Sequence, residues 1–440
     1  MKDLNKKLLF IENLLFVLFV FLVPSQLAYH FWPNWSYVRG IRVDYFSPTI
    51  YLTDILIVTI LTTSIVRKLS EKNFNTSFKR DQALIMFGLL FLVIVNIYYS
   101  TVPVLSTVKW ISIFEMVLLM IYVKQRKTFN VRNLLIIPLI YSSILFGVIG
   151  IIQFYLQRSI GGPFYFLGER SFNANTVGIA VVSLLNIDRL RAYSTFPHPN
   201  ALAGYAAVVL MLLLNSYKSI KDTKNYIPMV LSLGILSVVL ILTFSKAAYV
   251  SIVLIALLYM VNKAQDKYKH RLVKMSFLLI VSVSFLLAII TPTKTNYMVG
   301  RSVLERVKLA NVAGQEFSEN VFTGVGENNF IIKLSKRELP TQIKWLLQPV
   351  HNIYLLVLSE AGIFIFIIFV YFLYKILTIA LKTKSNLLYI YLFILLTGVF
   401  DHYWLTIKQN QIIASLIIAV IIREYYAGVK RKRKTHQNIL

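Results

Sequence analysis

The sequence predicts an all-α fold, a polytopic transmembrane helical bundle of about twelve spans with both termini in the cytoplasm. Three observations carry that prediction. The 440-residue chain is 57% hydrophobic with only 15% charged residues, and its mean hydropathy is +0.67. Apolar runs of about 17 to 25 residues recur along its whole length, each long enough to cross a bilayer as a helix. These runs lack the alternation of a membrane barrel, and a backbone inside lipid must then satisfy its own hydrogen bonds as a helix. The third observation is where the basic residues fall.

The predicted spans are 8–30, 49–66, 82–100, 104–123, 133–157, 200–216, 226–244, 247–262, 275–291, 352–374, 386–404 and 411–422. With a cytoplasmic N-terminus, the inner segments are 1–7, 67–81, 124–132, 217–225, 263–274, 375–385 and 423–440, and they hold 29 of the 46 Lys and Arg residues. That asymmetry is the positive-inside pattern, and it predicts a multi-pass protein of the cell (inner, cytoplasmic) membrane. Met1 to Lys7 followed by Leu8 to Tyr29 resembles a signal peptide, but the apolar stretch is too long and no small-residue cleavage site follows. It is predicted as the first span, retained. Residues 1–291 thus form nine spans, 292–350 a long, partly helical extracytoplasmic loop, and 351–440 three spans with a basic tail.

Two outer segments are long. Residues 158–199 include the apolar stretch Val177 to Leu185, too short to span, which is expected to lie at the interface or to re-enter. Residues 292–350 place Arg301, Glu305, Arg306 and Lys308 at helical spacing, predicting one or two amphipathic helices over the outer surface.

A net charge of +27 would suggest nucleic acid in a soluble protein. Here the charge lies in short loops between spans, so the expected partners are anionic membrane lipids, and no nucleic acid. The absence of cysteine excludes disulfides and thiolate-bound metals. No nucleotide-binding glycine motif or HExxH motif is present. The closely spaced outer carboxylates are Glu316 and Glu319, without an Asp-x-Asp pair. Hard divalent ions need several oxygen ligands, so no metal and no cofactor is expected.

Candidate chemistry gathers at outer span ends, where ionisable groups cost free energy and mark function. His198, His351 and His402 map there with polar company, and imidazole suits proton transfer near neutrality. An interfacial histidine can equally reach for head groups. His351 opens the tenth span, with Asn352, Tyr354 and, about two turns deeper, Glu360. Arg191 precedes Asn200 by nine residues, and Lys246 occupies a tight outer turn in TFSKAAY. Together the two cations make a clamp for a diphosphate, or each anchors to a lipid head group. Asn200 is placed to cap span six, which alone would explain it. Gly161, Gly162, Gly168, Glu169 and Arg170 form an outer loop that either wraps a ligand or makes a turn with an ion pair. Asp401 and His402 begin a third polar patch, DHYWLTIKQNQ.

These motifs, in this order, resemble those of the bacterial O-antigen ligase and O-antigen polymerase superfamily of polytopic membrane glycosyltransferases. The resemblance runs nearly end to end through RVDYFSPTIYLTD, the GG...LGER loop, RAYSTFPHPNALAGY, TFSKAAY, GVGENNF, HNIYLLVLSEAGI and FDHYW. It implies an inverting, metal-independent transfer of a glycan from a polyprenyl-diphosphate carrier at the extracytoplasmic face. The acceptor is a lipid, a protein or another lipid-linked glycan. By motif, the family's diphosphate-binding arginines fall on Arg191 and on position 246, here Lys246, and its essential histidine on His351. A lysine keeps the charge but lacks the bidentate fork.

On that reading Arg191 and Lys246, with Arg301 or Arg306 from the outer loop, meet the charge growing on the departing diphosphate. His351 orients the acceptor hydroxyl and takes its proton. The competing class is a flippase or transporter for lipid-linked sugars. Transporters usually bind near the bilayer midplane on broken helices, whereas the ionisable residues here sit mostly at outer span ends, with Glu115 the main exception.

Overall fold

The computed structural model describes residues 2–71, 80–126, 128–264, 268–289, 301–337 and 346–437, and the side chains of all of these except 2, 80–83, 287–289, 301–302 and 429–437. Among the described residues, five helices are long and apolar enough to cross a membrane: Pro103–Gln125, Arg132–Leu156, Lys246–Ala264, Ile353–Lys382 and Lys408–Gly428. Shorter apolar helices, Leu84–Tyr98, Pro199–Asn215, Tyr226–Leu242 and Leu388–Thr397, pack among them. The chain is a helical membrane protein.

The helix Pro199–Ile220 runs through the centre of the main core, with Ala201, Ala203, Ala206, Ala207, Val208 and Val209 all fully buried. Small side chains let helix backbones approach closely. At Gly204 the Tyr403 ring packs against the helix, where an added Cβ would lie 2.6 Å from it. Tyr403 opens the short helix Tyr403–Thr406. Gly204 therefore permits the contact that draws Asp401 and His402 to the start of the Pro199 helix.

The helix Ile353–Lys382 is broken at Gly362, where φ is 75° and ψ is 178°. The break is built with the GVGENNF segment. Val325 N donates to Ser359 O, Gly326 N to Glu360 O and Ile363 N to Val321 O. Neither Gly324 nor Gly362 has room for a Cβ, which would fall 2.3 Å from Glu360 O and 2.4 Å from Phe322 O respectively. Irregular backbone at this depth needs partners from protein. Asn96 supplies two more, donating to Thr323 O and Glu360 O. The sequence motifs GVGENNF and SEAG are thus two halves of one joint.

Several boundaries differ from those predicted. The first helix ends at Phe21, three residues before Pro24, and the second begins at Leu52. The intervening chain pairs Ala28–His30 with Thr49–Tyr51, and Tyr37–Val38 with Ile41–Arg42. The stretch predicted as span eleven breaks after Thr397 and resumes only as Tyr403–Thr406. Residues 158–199 contain no helix of spanning type: a 3₁₀ turn, Gly162–Leu167, precedes a hairpin of Val181–Leu184 with Ile187–Leu190. These strands of two to four residues carry too little alternation to register as strands in sequence. Within the long outer loop, the described residues form two helices, Arg301–Glu319 and Phe330–Lys336.

Candidate active site

Four residues from three distant parts of the chain join in one line of contacts. Arg191 Nη2 donates to Asn200 Oδ1 (2.7 Å), and Asn200 Nδ2 donates to Asp401 Oδ2 (2.9 Å). Asp401 Oδ1 lies 3.5 Å from His351 Nδ1, an ion-pair separation rather than a hydrogen bond. Asp401 Oδ1 also accepts from its neighbour's backbone, His402 N (2.8 Å). The far side of the His351 ring, Nε2, sits 3.1 Å from the side-chain amide of Gln348.

Local structure explains why Asn200 is available for this. The sequence suggests Asn200 as helix cap, but His198 is the cap, its Nδ1 accepting from Asn200 N (3.1 Å). Pro199 then takes the first helical position, where its missing N–H and fixed φ are no handicap. Asn200, one step inside, has its amide free to bridge Arg191 and Asp401. Arg191 Nε in turn donates to Thr243 O, in the turn that precedes Lys246. The Arg191 guanidinium thus meets neutral oxygens; among the described residues no carboxylate is within ion-pair reach of it.

The charges follow from this packing. Burial resists ionisation of Asp401, but the adjoining His351, with His402 and His198, more than offsets it and holds the carboxyl well below its ordinary range. Burial pulls the His402 imidazole down to about 3, against the attraction of Asp401 and helped by His351 and His198. His198 is lowered for the same reason, with Arg191 and Arg306 adding to the effect. The residue nonetheless keeps an exposed surface. Burial lowers Arg191 too, yet a guanidinium stays charged at any ordinary pH. Near neutrality the site therefore holds cationic Arg191, anionic Asp401 and uncharged His198 and His402.

The other expected residues fall into two groups. Arg306, half-buried on the helix Arg301–Glu319, is near enough to Arg191 and His198 to disfavour their protonation. Lys246 is exposed at the start of the helix Lys246–Ala264, beside the turn that Arg191 grips. The side chain of Arg301 lies outside the described residues. The remainder have structural partners instead. Asn352 caps the Ile353 helix, accepting from Tyr354 N and Leu355 N. Tyr354 is fully buried and donates to Leu395 O (3.0 Å). Glu360 accepts from Phe330 N (3.0 Å), at the start of the loop's short helix. Arg170 pairs with Asp44 (3.0 Å), and Glu169 pins its glycine loop by accepting from Ile160 N and Gly161 N (both 2.7 Å). These contacts brace the loop as a turn with an ion pair. Glu115 pairs with Lys408, which also holds Asp54 at 2.7 Å.

Two neighbours were not singled out from sequence. Tyr45 stands edge-on to the His402 ring at 5.7 Å, and Gln348 faces His351. Tyr45 lies within RVDYF, a motif quoted above to which no site residue was assigned. His351, Asp401 and His402 also offer ligand atoms within 4.8 Å of one another, an arrangement open to a metal ion. His402 Nδ1 lies 2.6 Å from Thr406 Oγ1.

Residues 231–370 match the family model described as O-antigen ligase. The matched stretch runs from the helix Tyr226–Leu242 through the Lys246 turn and the loop helices to His351 and the Gly362 joint, leaving Arg191, Asn200 and Asp401 outside it. A search of curated proteins finds no match to the chain. The His351 end of the site and the loop before it thus lie in the stretch that is similar to the O-antigen ligase family.

Proposed function

We propose that the chain transfers a glycan from a polyprenyl-diphosphate carrier to an acceptor hydroxyl, in one inverting step that needs no metal, on the extracytoplasmic side of the membrane. The observation that carries this reading is a half-buried Arg191 surrounded by neutral oxygens and joined through Asn200 and Asp401 to His351. A guanidinium without a carboxylate partner is a ready diphosphate ligand.

In the proposed step, the Asp401 carboxylate, 3.5 Å from His351 Nδ1, favours the proton on that nitrogen by charge, and the acceptor hydroxyl takes the place of Gln348 Oε1 against Nε2. The acceptor hydroxyl loses its proton to Nε2 while its oxygen bonds to the anomeric carbon. The bond from that carbon to the diphosphate oxygen breaks, and the carbon inverts. Negative charge growing on the diphosphate is met by Arg191 and Arg306, with Lys246 at the rim. Such preorganised cations act where charge develops, and the diphosphate leaves without protonation.

Purified protein supplied with a defined polyprenyl-diphosphate oligosaccharide tests the reading. A ladder lengthening by one repeat unit means polymerase; a single shift of an added acceptor means ligase. His351→Ala is expected to stay folded and bind the lipid while losing transfer, and near-normal turnover would remove its assigned role. The transporter reading draws only on the buried Lys408–Asp54–Glu115 group, and product formation in detergent, where there is nothing to cross, argues against it.

A further inference from the structure

The hairpin Val181–Leu190 is a part of the outer segment that the proposed chemistry does not use. Its strands pair Leu184 with Ile187, leaving a two-residue loop of Leu185 and Asn186. Both loop residues have positive φ, 50° and 65°. Such a turn favours Asn or Gly in its first position, because a Cβ is strained there. A leucine occupies it, and its side chain is 97% exposed. Neither turn chemistry nor packing inside the protein selects that residue. Its neighbours repeat the pattern: Ile187 is 56% exposed and Val177 101%.

The surroundings say what covers the tip. Leu190, at the hairpin's base, is fully buried, and its N–H donates to Gln157 Oε1 (2.7 Å), one residue past the end of the helix Arg132–Leu156. The hairpin is therefore rooted at the end of a membrane-crossing helix. That helix's last turn exposes Tyr155, and the following 3₁₀ turn exposes Tyr165 and Phe166. Aromatic residues of this kind gather where bilayer meets water. On one hairpin face the pair Leu184–Ile187 lies at the tip and Val182–Arg189 lies behind it. An apolar end with a guanidinium set back along the strand matches acyl chains below a phosphate layer.

We infer that the hairpin tip, Leu184, Leu185 and Ile187, inserts into the adjacent leaflet of the bilayer and anchors the segment that ends in Arg191. The connection to Arg191 is direct: Arg191 N donates to Ala180 O, and Ala180 N to Tyr193 Oη (2.6 Å), closing the base of the hairpin. The anchor sets the depth of Arg191 relative to the lipid surface. That last consequence rests on the reading of Arg191 as a diphosphate ligand; the insertion does not.

The chain has no cysteine, so a single one can be introduced and labelled without background. Ala174, exposed in the turn that precedes the hairpin, serves as the aqueous reference. Leu185→Cys and Ala174→Cys, each carrying a nitrobenzoxadiazole fluorophore, are placed in the full-length protein in phosphatidylcholine–phosphatidylglycerol vesicles. At position 185 the expected result is blue-shifted emission, quenching by doxyl-labelled phospholipid and at least threefold less quenching by iodide than at position 174. Equal iodide quenching at both positions would overturn the insertion. So would shielding from both quenchers that grows with protein-to-lipid ratio, the mark of a second copy. Leu185→Asn restores the preferred turn residue, so it is expected to fold normally. Its KM for the lipid-linked donor should rise severalfold in vesicles, with kcat retained and no change in detergent. An unchanged KM alongside lipid quenching of the 185 probe would sink the Arg191 consequence alone.

Discussion

Two polar clusters, one around Glu12 and one around Arg191, are built on contrary principles. In the first, Glu12 is fully buried and both its oxygens are engaged, Oε2 by Arg67 Nε and Oε1 by Tyr122 Oη (both 2.8 Å). Arg126 adds a third contact at 3.5 Å, and Arg67 also pairs with Glu71 (3.0 Å). In the second, Arg191 touches neutral oxygens, and two polar atoms, His351 Nδ1 and Asn352 Nδ2, are buried without a hydrogen bond. Arg126 Nε too lacks a hydrogen bond, but in the Glu12 set every charge faces an opposite one, whereas Arg191 faces none among the described residues and keeps its capacity for something outside the chain. Buried polar groups left unmatched are the exception in folded proteins, and they point to a task other than folding.

The contrast can be broken by substitution. Arg191→Ala and Glu12→Gln should have opposite signatures. For Arg191→Ala we expect transfer to fall at least a hundredfold, the scale of losing a transition-state charge partner, with the thermal midpoint nearly unchanged. For Glu12→Gln we expect a loss on the order of 3 kcal/mol in stability, as when one partner of a buried pair is removed, and normal turnover per folded molecule. Equal stability losses in the two variants would mean that both clusters are structural.

Asp401→Asn sharpens the same comparison. The amide retains a bond to Asn200 but not the charge beside His351, so kcat should drop about tenfold to a hundredfold. The donor's KM should hold, and the pH–rate profile should shift.

Acidification gives a smaller, graded effect. His402 has a folded pKa of about 3, below its ordinary value of 6.5, so the unfolded chain binds the proton more readily between those limits. Stability is then full above about pH 6.5 and declines as pH falls toward 3, by at most about 1.4 kcal/mol per pH unit. Replacing His402 with Asn should flatten that part of a melting-temperature profile. An unchanged slope would show that His402 is not the group responsible. The smallest effect is expected at exposed Lys246: Arg should preserve transfer, and Ala should reduce it only severalfold.

How much of this was legible in the sequence depends on what kind of signal carried it. Apolar run length and the basic inner loops pointed to a helical membrane protein, because bilayer thickness and leaflet charge act on composition directly. His351, Arg191 and Asp401 stood out as ionisable residues next to apolar runs. What the sequence could not show was the Asn200 bridge, since its N-cap reading was equally good until His198 was seen to hold the cap. The Gly362 joint was also hidden, because its partners lie well upstream in GVGENNF. Tyr354 and Glu360 looked like site residues by proximity to His351, yet helix geometry turns them toward Leu395 and Phe330.

The account stands on Arg191 and His351 sharing one ligand while performing separate tasks. Donor binding and transfer, measured side by side for Arg191→Ala and His351→Ala with the same polyprenyl-diphosphate oligosaccharide, tests this most directly. We expect Arg191→Ala to lose donor affinity at least tenfold and His351→Ala to keep it while losing transfer. Wild-type donor affinity in Arg191→Ala, or wild-type transfer in His351→Ala, would contradict it.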